Sequence, residues 1–293
     1  MVTPYRDDGS VDREAYLGLM NKLAHSGVHG LMIMGTTGEG PLLSIEERRE
    51  ILDFTAHRAA EVPLIPNVGH PATRHAVALG VYAAERGFTS MSAVAPFYYP
   101  SSPQELLRHY RTLARAVAPA GLYLYTIPIH THNPIPTRIL EELLDSEPNV
   151  LGIKDSTGDV RQLSEYVAAC RERGAVVLGG NDRLFLHGLS IGAQGAVTSA
   201  AGVFPEAYLA VWNAYERGDL AAAHAAQRTV DALCTVFRDG THLGLYKAAL
   251  AFRGVTIGPA RPPFPPVTEE DRRKLTEGLV RLGLVKEAEP VPF

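Results

Sequence analysis

Seven short apolar runs, Val28–Met34, Pro63–Val68, Phe88–Val94, Gly121–Thr126, Val150–Lys154, Ala175–Leu178 and Gly195–Thr198, recur every 20 to 35 residues, with charged amphipathic stretches between them. Runs that do not alternate with polar residues read as strands buried on both faces, the condition of a parallel sheet covered by helices. The intervening stretches have helical spacing. Ser44–Ala60 opens with a capping box, Ser44 followed by Glu47, and Pro103–Ala118, Asp159–Arg173 and Pro205–Arg217 repeat apolar residues at intervals of three and four. A β-then-α unit repeated this often predicts an α/β fold, the TIM (β/α)8 barrel, with Val2-Thr3-Pro4 read as the tail of an eighth strand. A doubly wound sheet needs fewer strands and a Gly-rich dinucleotide turn, which this chain lacks. After Arg217 the strand signal stops, and helical stretches over 219–238, 241–252 and 268–284 flank the proline-rich GPARPPFPP. The expected organisation is therefore a barrel with the active site over 1–217 and a C-terminal helical region over 218–293.

Composition removes several classes of function. With 28 Lys plus Arg against 32 Asp plus Glu, net charge −4 and no dense basic run, nucleic acid is not an expected partner. The apolar runs fall short of the ~18 residues of a membrane span, and the opening MVTPYRDDGS has neither a basic nor an apolar leader region, so no membrane partner and a cytoplasmic location are expected. Cys170 and Cys234 have no metal-ligand or disulfide spacing and read as packed apolar residues, and the 11 histidines form no helical metal pair, so no metal is expected.

A TIM barrel builds its site from the carboxyl ends of strands and the loops that follow. Here those positions hold Gly35-Thr36-Thr37-Gly38-Glu39-Gly40, Asn67 to His70, Pro96 to Pro100, Tyr125 to His132, Lys154 to Thr157, Gly179 to Asp182 and Val197 to Ala200. Lys154 stands out, because only five of the 28 cationic side chains are lysines and this one closes an apolar strand. Desolvation there disfavours an ammonium, the environment of Schiff-base lysines; the plainer reading is a lysine reaching out to pair with Asp155 or Glu39. Tyr125 ends the preceding strand, where its phenol either exchanges protons in the same cavity or is simply a satisfied core hydroxyl. The GTTGEG turn offers backbone N–H groups and two hydroxyls to a small carboxylate. Tyr98 and Tyr99, held between prolines, read equally as an aromatic wall, an oligomer contact or a relay hydroxyl.

Taken together, VTPYRDDGSVD, GTTGEGPLLSIEER, APFYYP, LYTIP, GIKDSTGD, GGND, GAQGAVTSAAGVFPE and GPARPPFPPVTEE resemble, in order and spacing, the dihydrodipicolinate synthase/N-acetylneuraminate lyase family of class I pyruvate-dependent aldolases. The resemblance implies that Lys154 forms an imine with a 2-keto acid and that Tyr125 is the acid–base group. It makes Thr36 a relay hydroxyl and Gly35 and Thr37 the carboxylate-holding turn. It also casts Tyr98 as a proton relay reaching a neighbouring subunit and Val197 as the residue whose carbonyl faces the keto acid. It further implies a homotetramer, a dimer of dimers, with no cofactor and no metal, acting on a 2-keto acid and an aldehyde.

Two departures bear on substrate and on the first strand. Synthases of this family follow Tyr-Asn-x-Pro with a small residue and a carboxylate-gripping Arg, whereas this chain has Tyr125-Thr126-Ile127-Pro128-Ile129-His130. An imidazole does not replace a bidentate guanidinium. The expected activity is therefore a 2-keto-3-deoxy sugar acid or hydroxy-keto acid aldolase. A 2-keto-3-deoxy acid dehydratase or a 4-hydroxy-tetrahydrodipicolinate synthase is the alternative, and a non-catalytic keto-acid-binding barrel the alternative of another class. His130 and His132 also read as plain exposed loop residues. Family members usually carry more residues before the VTP motif, so the first strand is expected to be a stub.

Overall fold

A computed structural model describes residues 1–56 and 62–286. Seven parallel strands form in chain order: β1 (Leu31–Ile33), β2 (Leu64–Pro66), β3 (Ser90–Val94), β4 (Gly121–Thr126), β5 (Val150–Asp155), β6 (Val176–Gly179) and β7 (Gly195–Ala196). β1 pairs with β2, β3 to β7 pair in succession, and a parallel bridge between Asn67 and Ser92 joins the two groups. With every neighbour consecutive, right-handed crossovers put all helices on one side, and the opposite faces of the strands must cover one another by curling. They do so here: Leu31, Ile65, Ser90, Tyr123, Leu178 and Gly195, from β1, β2, β3, β4, β6 and β7, line one interior cavity of about 380 Å³. The chain is a TIM-type α/β barrel with a C-terminal helical appendage.

Each expected apolar run gives one strand, most of them shorter than the run, while β5 and β6 extend one residue past it, to Asp155 and Gly179, where each still finds a partner to pair with. The helices Ile45–Ala56, Pro103–Val117, Val160–Glu172 and Pro205–Glu216 lie within the stretches marked by their spacing; positions 57–60 of the first lie outside the described residues. The Ser44 capping box forms, with Glu47 N donating to Ser44 Oγ at 3.1 Å and Ser44 N to Glu47 Oε2 at 2.8 Å. Among the described residues no eighth strand forms at Val2–Pro4. Pro4 has no amide hydrogen to give a ladder. The segment is tied down instead by the Thr3 hydroxyl, which donates to Gly38 O at 2.6 Å, and by an antiparallel bridge from Tyr5 to Val11.

Strand alternation sorts the side chains. In β4, Leu122 and Leu124 are fully buried in the apolar core, while Tyr123 and Tyr125 face the barrel interior at two depths. Outside the strands, His109 of helix Pro103–Val117 sits buried with Nδ1 2.9 Å from Thr73 Oγ1 of helix Thr73–Glu85. Burial pushes its imidazole down to about 4, so it is neutral at pH 7. The region after residue 217 forms helices Leu220–Val236, Leu243–Leu250 and Glu269–Arg281, whose Val230, Leu233, Leu245, Leu250, Leu275 and Leu279 join the same core. Phe237 and Tyr246 stack there with ring centroids 4.4 Å apart. Cys170 and Cys234 are buried free thiols that burial pushes up to about 11 and about 12.

Candidate active site

The carboxyl ends of the strands open into a second cavity, of about 510 Å³. It gathers residues far apart in the chain: Gly35, Thr36 and Thr37 after β1, Tyr125 and His130 at the end of β4, Lys154 in β5, Asn181 and Asp182 after β6, and Val197 to Ser199 after β7. No helix among the described residues is long and apolar enough to cross a membrane, and none of their His, Cys, Asp and Glu side chains form a group of three placed to hold a metal ion.

A register shift brings Tyr125 and Lys154 together. Along β4 and β5, Leu122 is opposite Val150 but Tyr123 is opposite Gly152, so one residue of β5 is skipped and Tyr125 then meets Lys154. Without the skip, Tyr125 would meet Ile153, whose side chain belongs to the other face of the sheet. Gly152 makes the bulge possible: its φ is +144°, and a Cβ there would lie 1.8 Å from Val176 O. Partners in a parallel ladder project to the same face, so both side chains enter the cavity, Tyr125 at 2% exposure and Lys154 at 7%.

Lys154 Nζ lies 4.0 Å from the centroid of the Tyr125 ring and 3.9 Å from Met32 Sδ. Among the described residues no carboxylate lies within ion-pair distance of it, so the pairing with Asp155 or Glu39 does not form. Glu39 instead pairs with Lys247 at 2.6 Å. Asp155 is buried beside Lys154 in sequence but accepts from Thr157 N at 2.9 Å, and desolvation raises its carboxyl above the usual carboxylate range.

The GTTGEG turn places its hydroxyls with a strained backbone. Met34 and Glu39, neither of them glycine, have φ of +56° and +55°, each costing on the order of 1–3 kcal/mol. Gly40 is packed so that a Cβ would come within 2.0 Å of Met34 O. Glu39 N donates to Thr36 O and Gly40 N to Gly35 O, both at 3.0 Å, which curls the turn. Thr36 Oγ1 thereby stands 3.1 Å from Tyr125 OH, and Thr37 Oγ1 2.5 Å from Ser199 Oγ. Lys154, Tyr125, Thr36 and Thr37 thus share one wall of the cavity.

The remaining residues anticipated from sequence divide. Val197 lines the cavity, its N–H donating to Gly179 O at 2.7 Å. His130 lines the same mouth from the short helix Pro128–Thr131, and partial desolvation with the neighbouring His132 holds its imidazole below the ordinary histidine value. Tyr98 is not brought to this cavity: it is 76% exposed at φ +79°, its ring edge-on to that of Tyr99 at 4.9 Å.

Several lining residues carried no assigned role. Met32 was hidden inside an apolar run, and Ser199 and Asp182 were flagged only by position. Desolvation raises the Asp182 carboxyl, to which Tyr208 donates. Cys234, Thr241, Leu243 and Tyr246 come from the region after 217, where no local pattern could announce a place at this cavity.

Residues 1–281 match the Dihydrodipicolinate synthetase family. A DapA-like lyase of Halobacterium salinarum is 36% identical over 97% of this chain and 93% of its own length. The N-acetylneuraminate lyase of Rhizobium meliloti is 33% identical over 95% of this chain and 92% of its own length. Among solved structures, YagE, an E. coli K12 prophage protein of the dihydrodipicolinic acid synthase family in complex with pyruvate, superposes with a TM-score of 0.92 at 26% identity, covering 97% of this chain and 96% of that one. This chain belongs to the dihydrodipicolinate synthetase family of enzymes.

Proposed function

We propose that this chain is a class I lyase that cleaves or forms the C3–C4 bond of a 2-keto acid through an imine on Lys154, with a 2-keto-3-deoxy sugar acid or related hydroxy-keto acid as substrate. The observation that carries the reading is the pairing of Lys154 with Tyr125 across the bulged β4–β5 ladder, with Thr36 bonded to the phenol in the same cavity. The Lys154 amine attacks C2, and the carbinolamine loses its hydroxyl as water to give a protonated imine. A base then takes the proton of the C4 hydroxyl, the C3–C4 electrons pass to the imine nitrogen, and an aldehyde departs. The enamine takes a proton at C3, and water hydrolyses the imine to release pyruvate and restore the amine. Tyr125 moves these protons with Thr36 as relay, and the Gly35-Thr36-Thr37 turn holds the carboxylate. The Val197 carbonyl faces the keto acid.

The cavity offers Ser156, Thr157, Asn181 and Ser199 beyond Lys154. Hydroxyls and an amide suit the polyol tail of a sugar acid better than a second carboxylate, and His130 stands where an arginine would grip that carboxylate. The exposed Tyr98 and Tyr99 support assembly of copies, as a homotetramer in which Tyr98 completes a partner's relay. The test is reduction with borohydride in the presence of pyruvate, followed by peptide mapping, and then product analysis on a panel of 2-keto-3-deoxy acids. An adduct on Lys154 and release of pyruvate with an aldehyde are expected. A product that has lost only water would select the dehydratase, turnover of aspartate semialdehyde the synthase, and absence of any Lys154 adduct would sink the reading.

A further inference from the structure

At the end of the GTTGEG turn lies a second buried cluster, whose Glu39 lines, with Thr36, Tyr125 and His130, an adjoining cavity of about 320 Å³. The Glu39 carboxylate accepts from Arg261 N at 2.7 Å and pairs with Lys247 Nζ at 2.6 Å, with side chains 0% and 3% exposed. Lys247, from helix Leu243–Leu250, also donates to Pro259 O at 3.0 Å and stands 4.2 Å from the Tyr5 ring centroid. Arg261 spans the same turn from outside, donating to Leu42 O at 2.8 Å, to both carboxylate oxygens of Glu47 at 2.6 and 2.9 Å, and to Gly9 O at 2.6 Å. Both cations therefore come from the region after the barrel, more than 200 residues from Glu39 in sequence. None touches the cavity wall at Lys154, and the residue they hold is one of the two non-glycine residues forced to positive φ in the turn.

We infer that Glu39, Lys247 and Arg261 are positioning residues for the reaction: the C-terminal region clamps Glu39 in its left-handed conformation, and that clamp sets Thr36 against Tyr125 and Thr37 at the substrate carboxylate. The inference rests on the catalytic reading above. A backbone held at φ +55° relaxes once its side chain is released, and Thr36 and Thr37 lie three and two residues away on the same curled turn. Displacement by about 1 Å at a catalytic contact is worth on the order of 100-fold in rate.

The experiment uses the full chain and two variants. Glu39→Gln combined with Lys247→Met removes both charges at near-constant volume, so no unpaired ion is left buried. Glu39→Asp keeps the charge but shortens its reach by one methylene. In both, kcat and KM for the cleaved keto acid are measured beside thermal melting and borohydride trapping with pyruvate. The expected result is that kcat/KM falls on the order of 10- to 100-fold in the double variant and less in Glu39→Asp, with KM rising more than kcat falls because the Thr37 turn binds the ground-state carboxylate. The imine should still be trapped at saturating pyruvate. A lower melting temperature with unchanged kcat and KM in Glu39→Asp, or in a double variant that folds, would show a purely scaffolding role and overturn the inference. Failure to trap an imine in the unsubstituted protein strikes the catalytic reading instead.

Discussion

Two lysines of this chain are equally hidden and differently placed. Lys154 is 7% exposed and Lys247 4%, both on regular elements and each over a tyrosine ring, at 4.0 and 4.2 Å. Lys247 has a carboxylate at 2.6 Å and a carbonyl at 3.0 Å; Lys154 has a thioether and a phenol ring at the wall of a cavity. Burying a cation is costly, and a counter-ion offsets most of that cost. The contrast teaches that burial alone does not mark a reactive amine: a lysine with its carboxylate supplied is committed to holding the fold, and one left without stays available to a ligand. At Lys247 desolvation lowers the amine and Glu39 opposes that shift.

Substitutions can break this comparison in order of size. Lys154→Ala should abolish the trapped imine and lower turnover by about 10⁴-fold or more while the fold persists, read by borohydride mass analysis and steady-state rates. Tyr125→Phe should keep the cavity and cost about 10²–10⁴-fold in kcat, the range of a lost general acid–base group; an unchanged kcat would remove the phenol from the proton path. Lys247→Met on its own strands the Glu39 carboxylate and should cost about 3–5 kcal/mol in urea unfolding.

The next effect concerns pH. The His109 imidazole is lowered in the folded state to about 4, so between pH 6.5 and 4 the unfolded chain binds the extra proton and stability falls as pH falls. The loss approaches about 3 kcal/mol at the bottom of that window, and His109→Gln should flatten the slope of unfolding free energy against pH over that range. Smallest of all, Lys154→Met should leave stability within about 1 kcal/mol or raise it, because no ion pair is broken. A loss as large as that of Lys247→Met would mean that the two lysines do the same work.

Much of the frame is legible in the sequence. Each of the seven apolar runs became a strand, because a β-strand buried on both faces leaves an unmistakable block of apolar residues between amphipathic helices. Lys154 is conspicuous because lysine is scarce in this chain and this one closes an apolar block, and Tyr125 because it ends the block before it. The stub at Val2–Pro4 was harder, since a strand is defined by a neighbour and a proline cannot supply the ladder donor. Tyr98 has its relay role from the resemblance alone, because what covers an exposed loop is not written in the local pattern.

The sequence by itself determined the period of the fold, the end of the strands at which the candidate site lies, and the residue types assembled there, because periodicity and composition act over a few neighbouring residues. Only the tertiary structure decided which groups meet. The one-residue bulge at Gly152 puts Lys154 rather than Ile153 opposite Tyr125, and a lysine side chain and an arginine backbone N–H from beyond the barrel hold the Glu39 carboxylate. Such pairings depend on register and on contacts across some 200 residues, and no local pattern encodes the geometry of either.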